Sequence, residues 1–175
     1  MKSIVLAVCC FIVSCTSGVS PERTEHDDQF VQIYFHANLL DELDTFHGTF
    51  QKDLVMDGTA RTTMWLTTNE QEIIVSAIEN YRFFSLPDTI PAIYTVMPDF
   101  GPQVLTMKYK GKEKTIVWYQ GVDPHDKSMY FVEQLRTLLW NIIVAKPEYK
   151  ALPESHGGYA RLSSTNEREI KSGMK

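Results

Sequence analysis

Between residues 104 and 119 apolar and polar side chains alternate along two runs parted by a short polar break. This constrains the fold more tightly than anything else in the chain. Leu105, Met107 and Tyr109 share one face of the first run, and Ile116 and Trp118 share one face of the second. A period of two sends successive side chains to opposite faces of a strand, so each run has one face for a core and one for water. Lys110-Gly111-Lys112-Glu113 reads as the turn, and the pair as an antiparallel hairpin. Residues 126–145 follow, with Phe131, Val132, Leu135, Leu138, Leu139, Ile142 and Ile143 at helical spacing. So wide an apolar stripe predicts a deeply buried helix. Pro147 stops it, and Asp123 or Asp126 stands ready to cap its start.

The earlier half carries the same signals less cleanly. Residues 30–36 read as a strand with Val31, Ile33 and Phe35 on one face. Residues 38–44 read as a connection holding at most one helical turn. Residues 46–55 form a second strand, Met56-Asp57-Gly58-Thr59 a hairpin turn, and residues 61–67 the returning strand. A helix over 69–82 is predicted by Ile73, Ile74, Ala77, Ile78 and Tyr81, with a capping box at Asn69 and Glu72 or at Thr68 and Gln71. Phe83, Phe84 and Leu86 close the end of the core, and residues 88–102, rich in proline, read as a long surface loop. The order strand, hairpin, helix, hairpin, helix predicts an α+β fold, an antiparallel sheet of about five strands with two helices packed on one face. No residue-level repeat relates the halves.

Ahead of the domain, Met1 and Lys2 precede an uncharged apolar run over residues 4–13, too short for a bilayer span but suited to a signal-peptide core. It ends in Ile12-Val13-Ser14-Cys15, which resembles the lipobox of bacterial lipoprotein precursors: an aliphatic residue, a tolerant position, a small residue, then the cysteine that receives the lipid. The chain is therefore expected to comprise a signal peptide (1–14), a lipid-anchored flexible tether (15–28), a single domain (29–146) and a mostly disordered tail (147–175). A plain secretory signal with an incidental cysteine is the competing reading. Cys9, Cys10 and Cys15 are the only cysteines, so cleavage before Cys15 leaves one thiol and no internal disulfide. The expected location is the cell envelope, on the periplasmic or cell-surface side, with the membrane a partner through the lipid on Cys15. A net charge of -5 argues against nucleic acid and against a polybasic lipid-binding patch.

Residues 43–55 (LDTFHGTFQKDLV), residues 82–87 (RFFSLP) and, less firmly, residues 114–118 resemble a group of uncharacterised bacterial lipoproteins. In that group a strand of the form TfxGTfxKDlV leads to a helix ending FFxxP. The resemblance spans about residues 30 to 90 and implies export and a shared fold. It implies no activity and no site residue.

Candidate chemistry is sparse, and each residue has a plainer role. By alternation Lys52 shares a face with Phe50 and Leu54, as a buried amine or as a stem that snorkels to water. Asp53 then points the other way, into solvent. His36, His47, His125 and His156 lack the spacing that puts two imidazoles on one metal. Asp123 and Asp126 suit a cation less simply than they suit a helix cap. Nucleophile elbows, Ser-x-x-Lys and phosphate loops are missing. No catalytic residue, metal or cofactor is therefore assigned. Tyr94, Phe100, Trp118 and Tyr119 can form a binding surface or fill the core. The expected role is a non-catalytic binding or structural module that meets an envelope protein or peptidoglycan through the loop at 87–102. The alternatives are a small hydrolase whose site assembles from distant strands and an inhibitor or immunity-type protein.

Overall fold

The structure, a computed structural model, describes residues 30–38, 40–94 and 101–159. The expected signal peptide and tether, Cys15 between them, and Phe100 lie outside the described residues. The strands are β1 (Gln32–Asn38), β2 (Asp41–Asp44), β3 (Thr49–Asp53), β4 (Thr59–Thr63), β5 (Thr89–Ile90), β6 (Gln103–Tyr109) and β7 (Lys112–Trp118). The helices are α1 (Thr68–Asn80), α2 (Lys127–Ala145) and the single turn α3 (Pro147–Lys150). Together they make an α+β fold on one seven-stranded sheet, ordered β4-β3-β2-β1-β6-β7-β5. All pairings are antiparallel except that of β5 with β7.

The alternation accounts for the core. Phe35 lies opposite both Leu43 and Leu105, Leu43 opposite Phe50, and Leu105 opposite Ile116, so one face of the sheet is a continuous apolar row. Ile74 and Ile78 of α1 and Val132, Leu135, Leu139 and Ile143 of α2 share that core. The 110–111 turn has positive φ at both Lys110 (49°) and Gly111 (71°), the left-handed pair that matches the twist of a two-residue hairpin. Asp126 caps α2 by accepting from the Met129 N–H at 2.8 Å. Asp126→Ala is expected to cost about 1 kcal/mol, measured by chemical denaturation; an unchanged midpoint would show the cap to be dispensable.

The sheet is larger than the sequence suggests, for two local reasons. Residues 41–44 form β2 where the sequence reads as a connection holding at most one helical turn. Leu43 is 1 % exposed between Phe35 and Phe50, while the acidic neighbours turn to the other face. Within the expected surface loop, Thr89 and Ile90 pair with Val117 and Trp118, which buries Ile90; residues 95–100 lie outside the described residues. Strands β3 and β4 are also shorter than expected. Helix α1 begins one residue earlier than the Thr68 box allows and two earlier than the Asn69 box. Its N-cap is Thr67, reciprocated by Glu70. Ile73, expected on the buried stripe, is 44 % exposed.

The stretch from residue 147, expected to be mostly disordered, contains α3 and a segment that runs back along β3. Tyr149 packs on Phe50 with ring centroids 5.7 Å apart, and Ser155 Oγ donates to the Asp53 carbonyl at 2.6 Å. His156 forms a parallel bridge with Val55. Residues 160–175 lie outside the described residues.

Candidate binding face

The residues singled out in the sequence do not converge. His47 Nδ1 sits 2.6 Å from Asp44 Oδ2, His156 Nδ1 sits 2.7 Å from Asp57 Oδ2, and Asp123 accepts from the His125 N–H at 2.8 Å. Among the described residues no three metal-ligating side chains are gathered together. Lys52 does share the Phe50 face. Its Nζ lies 4.9 Å from the Tyr149 ring centroid and donates to the Pro153 carbonyl at 2.7 Å, so the stem lies along the sheet and the ammonium leaves at the margin.

Asp53 differs from expectation: it is buried, not solvated. Alternation alone turns it outward, but the returning C-terminal segment covers it. Asp53 Oδ1 accepts from the Val55 N–H and Oδ2 from the Tyr159 hydroxyl, each at 2.8 Å. The first bond holds Val55 at a φ of 63°, a costly conformation for a β-branched residue. The Asp53 N–H in turn donates to Asp41 Oδ1 at 2.8 Å. Burial, with the charge of Asp53 nearby, raises the Asp41 carboxyl above the usual carboxylate range. The two carboxylates clamp the β2 and β3 ends to the C-terminal segment.

The helices and the apolar row leave the other face of the sheet uncovered. Pleating brings polar side chains into rows there. His36 is opposite Glu42, Glu42 opposite Gln51, and Gln51 opposite Arg61. Tyr34 is opposite Thr106, and Thr106 opposite Thr115. The rows are internally bonded: Arg61 Nε donates to Gln51 Oε1 at 2.7 Å, Tyr34 Oη to Glu42 Oε2 at 2.9 Å, and the Thr106 and Thr115 hydroxyls lie 2.8 Å apart. Partial burial and the bond to Glu42 push the Tyr34 hydroxyl up to about 12, so it remains a donor at neutral pH. The result is a pre-ordered array of donors and acceptors on a broad face.

A second surface lies at the end of the sheet where β1 begins. A cleft of about 330 Å³ opens between Phe30, Phe46, Trp65 and Leu66, with Thr45 and Gln71 among its polar lining. Asp44 fixes the turn that carries Phe46 by accepting from the Phe46 N–H at 2.9 Å and the His47 N–H at 3.2 Å. Gln71 reaches over from α1 and accepts from the Val31 N–H at 3.1 Å. Trp65 lies against Gly48, where a Cβ would come within 2.0 Å of the indole at a φ of +66°. Glycine at 48 thus lets an indole that is 58 % exposed sit close against the backbone. Of the aromatics picked out in the sequence, Trp118 fills the core at 1 % exposure, whereas Tyr94 and Tyr119 are 56 % and 40 % exposed. Phe30, Phe46 and Trp65 are not grouped by any local sequence pattern. They meet because each flanks a strand at the same end of the sheet.

No protein-family model matches the chain, and no curated protein matches it.

Proposed function

We propose that the chain is a lipid-anchored protein of the cell envelope whose domain is a non-catalytic binding module, and that the uncovered sheet face makes the contact. One observation carries this reading: the polar row from Arg61 through Gln51 and Glu42 to His36, flanked by Tyr34, Thr106 and Thr115 and tied by the Arg61–Gln51, Tyr34–Glu42 and Thr106–Thr115 bonds. A broad face of fixed hydrogen-bonding groups suits a macromolecular surface better than a small substrate, which is normally held in a concave, largely apolar pocket. The carboxylates that come together, Asp41 and Asp53, have their bonds directed inward, into holding the fold. The lipid anchor at Cys15 is supported by the Ile12-Val13-Ser14-Cys15 motif behind the apolar run.

Site-specific photo-crosslinking in cells tests the binding reading. A photoreactive residue at Gln51 or Thr106 is expected to yield discrete adducts, and one at Glu72 on the exposed side of α1 to yield none. Adducts from Glu72 alone, or from no position, would refute it. The anchor is tested by the mass of the mature N-terminus. A Cys15→Ala chain that is processed at the same bond and still partitions with membranes would refute lipidation at Cys15.

A further inference from the structure

The end of the sheet that starts with Phe30 has a second feature besides its aromatic cleft. Because β6 runs antiparallel to β1, with Lys108 opposite Gln32, the β6–β7 turn lies at this same end. Lys110, Lys112 and Lys114 lie along its helix side and Lys108 on the other face of the sheet, and the exposed Arg82 joins Lys110 and Lys112 around a groove of about 250 Å³. The carboxylates among them are Glu79, paired with Lys110 at 3.4 Å, Asp88, paired with Lys114, and Glu113, opposite Lys108. Cations thus outnumber anions locally, although the net charge of -5 argues against a polybasic patch when the chain is taken as a whole. Helix α1 joins the two features. Gln71 in its first half borders the aromatic cleft, Glu79 near its end meets Lys110, and Ile73 between them is 44 % exposed.

We propose that this end of the domain rests on a bilayer containing anionic phospholipid. Phe30, Phe46 and Trp65 enter the headgroup region, and the cations of the β6–β7 turn lie over lipid phosphates. The inference rests on the anchor proposed at Cys15 and adds an orientation to it. Three observations carry it together. Residues 16–29 join Cys15 to Phe30, so an anchored chain delivers Phe30, itself part of the cleft, to within roughly 50 Å of the bilayer. Tryptophan suits the membrane–water boundary, and phenylalanine beside it adds apolar area to bury there. Basic side chains beside such a patch gain from the negative surface potential of anionic lipid. Each contact is weak alone, but the anchor makes docking intramolecular, so a modest affinity is enough. In this orientation the uncovered sheet face stays clear of the bilayer, open to the partner proposed above.

The test uses the full-length mature protein from the envelope, reconstituted in vesicles of phosphatidylcholine and phosphatidylglycerol. Of the three tryptophans, Trp118 is 1 % exposed, so Trp140→Phe leaves Trp65 as the accessible reporter. Brominated lipid is expected to quench the Trp65 emission, as for an indole at interfacial depth. The residual emission in a Trp65→Phe, Trp140→Phe chain is expected to be unchanged. Lys110→Glu with Lys112→Glu is expected to weaken the quenching, and raised salt to do the same. Unquenched Trp65 in a protein whose mass shows lipid on Cys15 would overturn the inference and leave the anchor standing. Shielding of Trp65 from acrylamide without bromolipid quenching would also overturn it, because a protein partner would then cover the cleft. A mature chain without lipid on Cys15 refutes the anchor, is visible before any vesicle is added, and removes the inference with it.

Discussion

Glu70→Ala is expected to destabilise the domain by about 3–5 kcal/mol, the range for breaking a buried ion pair by removing one partner. Glu70 Oε2 accepts from the Thr67 N–H at 2.8 Å, closing the capping box of α1, and from Lys146 Nζ at 2.7 Å. The Lys146 side chain is only 6 % exposed, so the variant leaves an ammonium poorly hydrated and without its carboxylate. The lost cap alone would account for about 1 kcal/mol; the orphaned charge supplies the rest. Glu70→Gln, which keeps an acceptor but not the charge, is expected to fall between. Denaturant titration measures all three. A loss under about 1 kcal/mol would mean that the Lys146 ammonium readily finds water.

The same pair sets a pH dependence. Burial pushes the Glu70 carboxyl up, but the bonds from Lys146 and Thr67 outweigh it, and the group lies below the usual glutamate range. A carboxyl depressed in the folded state contributes stability above its unfolded pKa and loses it as pH falls through the folded one. The stability gap between the native chain and Glu70→Ala is therefore expected to be full at neutral pH and to shrink below about pH 4.3. A gap that does not change with pH would assign the loss to packing.

Leu135→Ala is expected to cost about 2–5 kcal/mol, the transfer loss of a buried leucine plus the cavity it leaves. Leu135 is fully buried, in a core where α2 meets both α1 and the apolar face of the sheet. Leu138 lies on the same helix but is only partly buried, so Leu138→Ala is expected to cost less. The contrast separates a packed seam from general hydrophobicity. Equal losses at the two positions would mean that the helix is not seated as described, and a loss below about half a kcal/mol at Leu135 would mean that it faces water or a partner.

The long periodic segments were legible because their patterns repeat several times. The hairpin of β6 and β7, the buried stripe of α2, the Asp57-Gly58 turn between β3 and β4, and the Asp126 cap follow from residues within a few positions of one another. These suffice for an α+β fold with an antiparallel core. Strands β2 and β5 have 4 and 2 residues, too few for alternation to show. They are strands because β1 and β7 each offer an unpaired edge and the core has room for Leu43 and Ile90. The choice of Thr67 over Thr68 or Asn69 as the cap goes with Lys146, 76 residues away, which binds Glu70.

Asp53 shows the same division. Its place in β3 points it outward, and only Ser155, His156 and Tyr159 returning from the far end of the chain bury it. Phe30, Phe46 and Trp65 are separated in sequence by strands whose lengths had to be known before their ends could be brought together. By itself the sequence determined the periodic elements, the face each long strand turns inward and the α+β class, because each depends on neighbours within one or two turns or pleats. The tertiary structure decided which edges were completed, which charges were buried and which aromatic residues meet at one end of the sheet. Those outcomes depend on which distant segments reach the same place, and no local pattern records that.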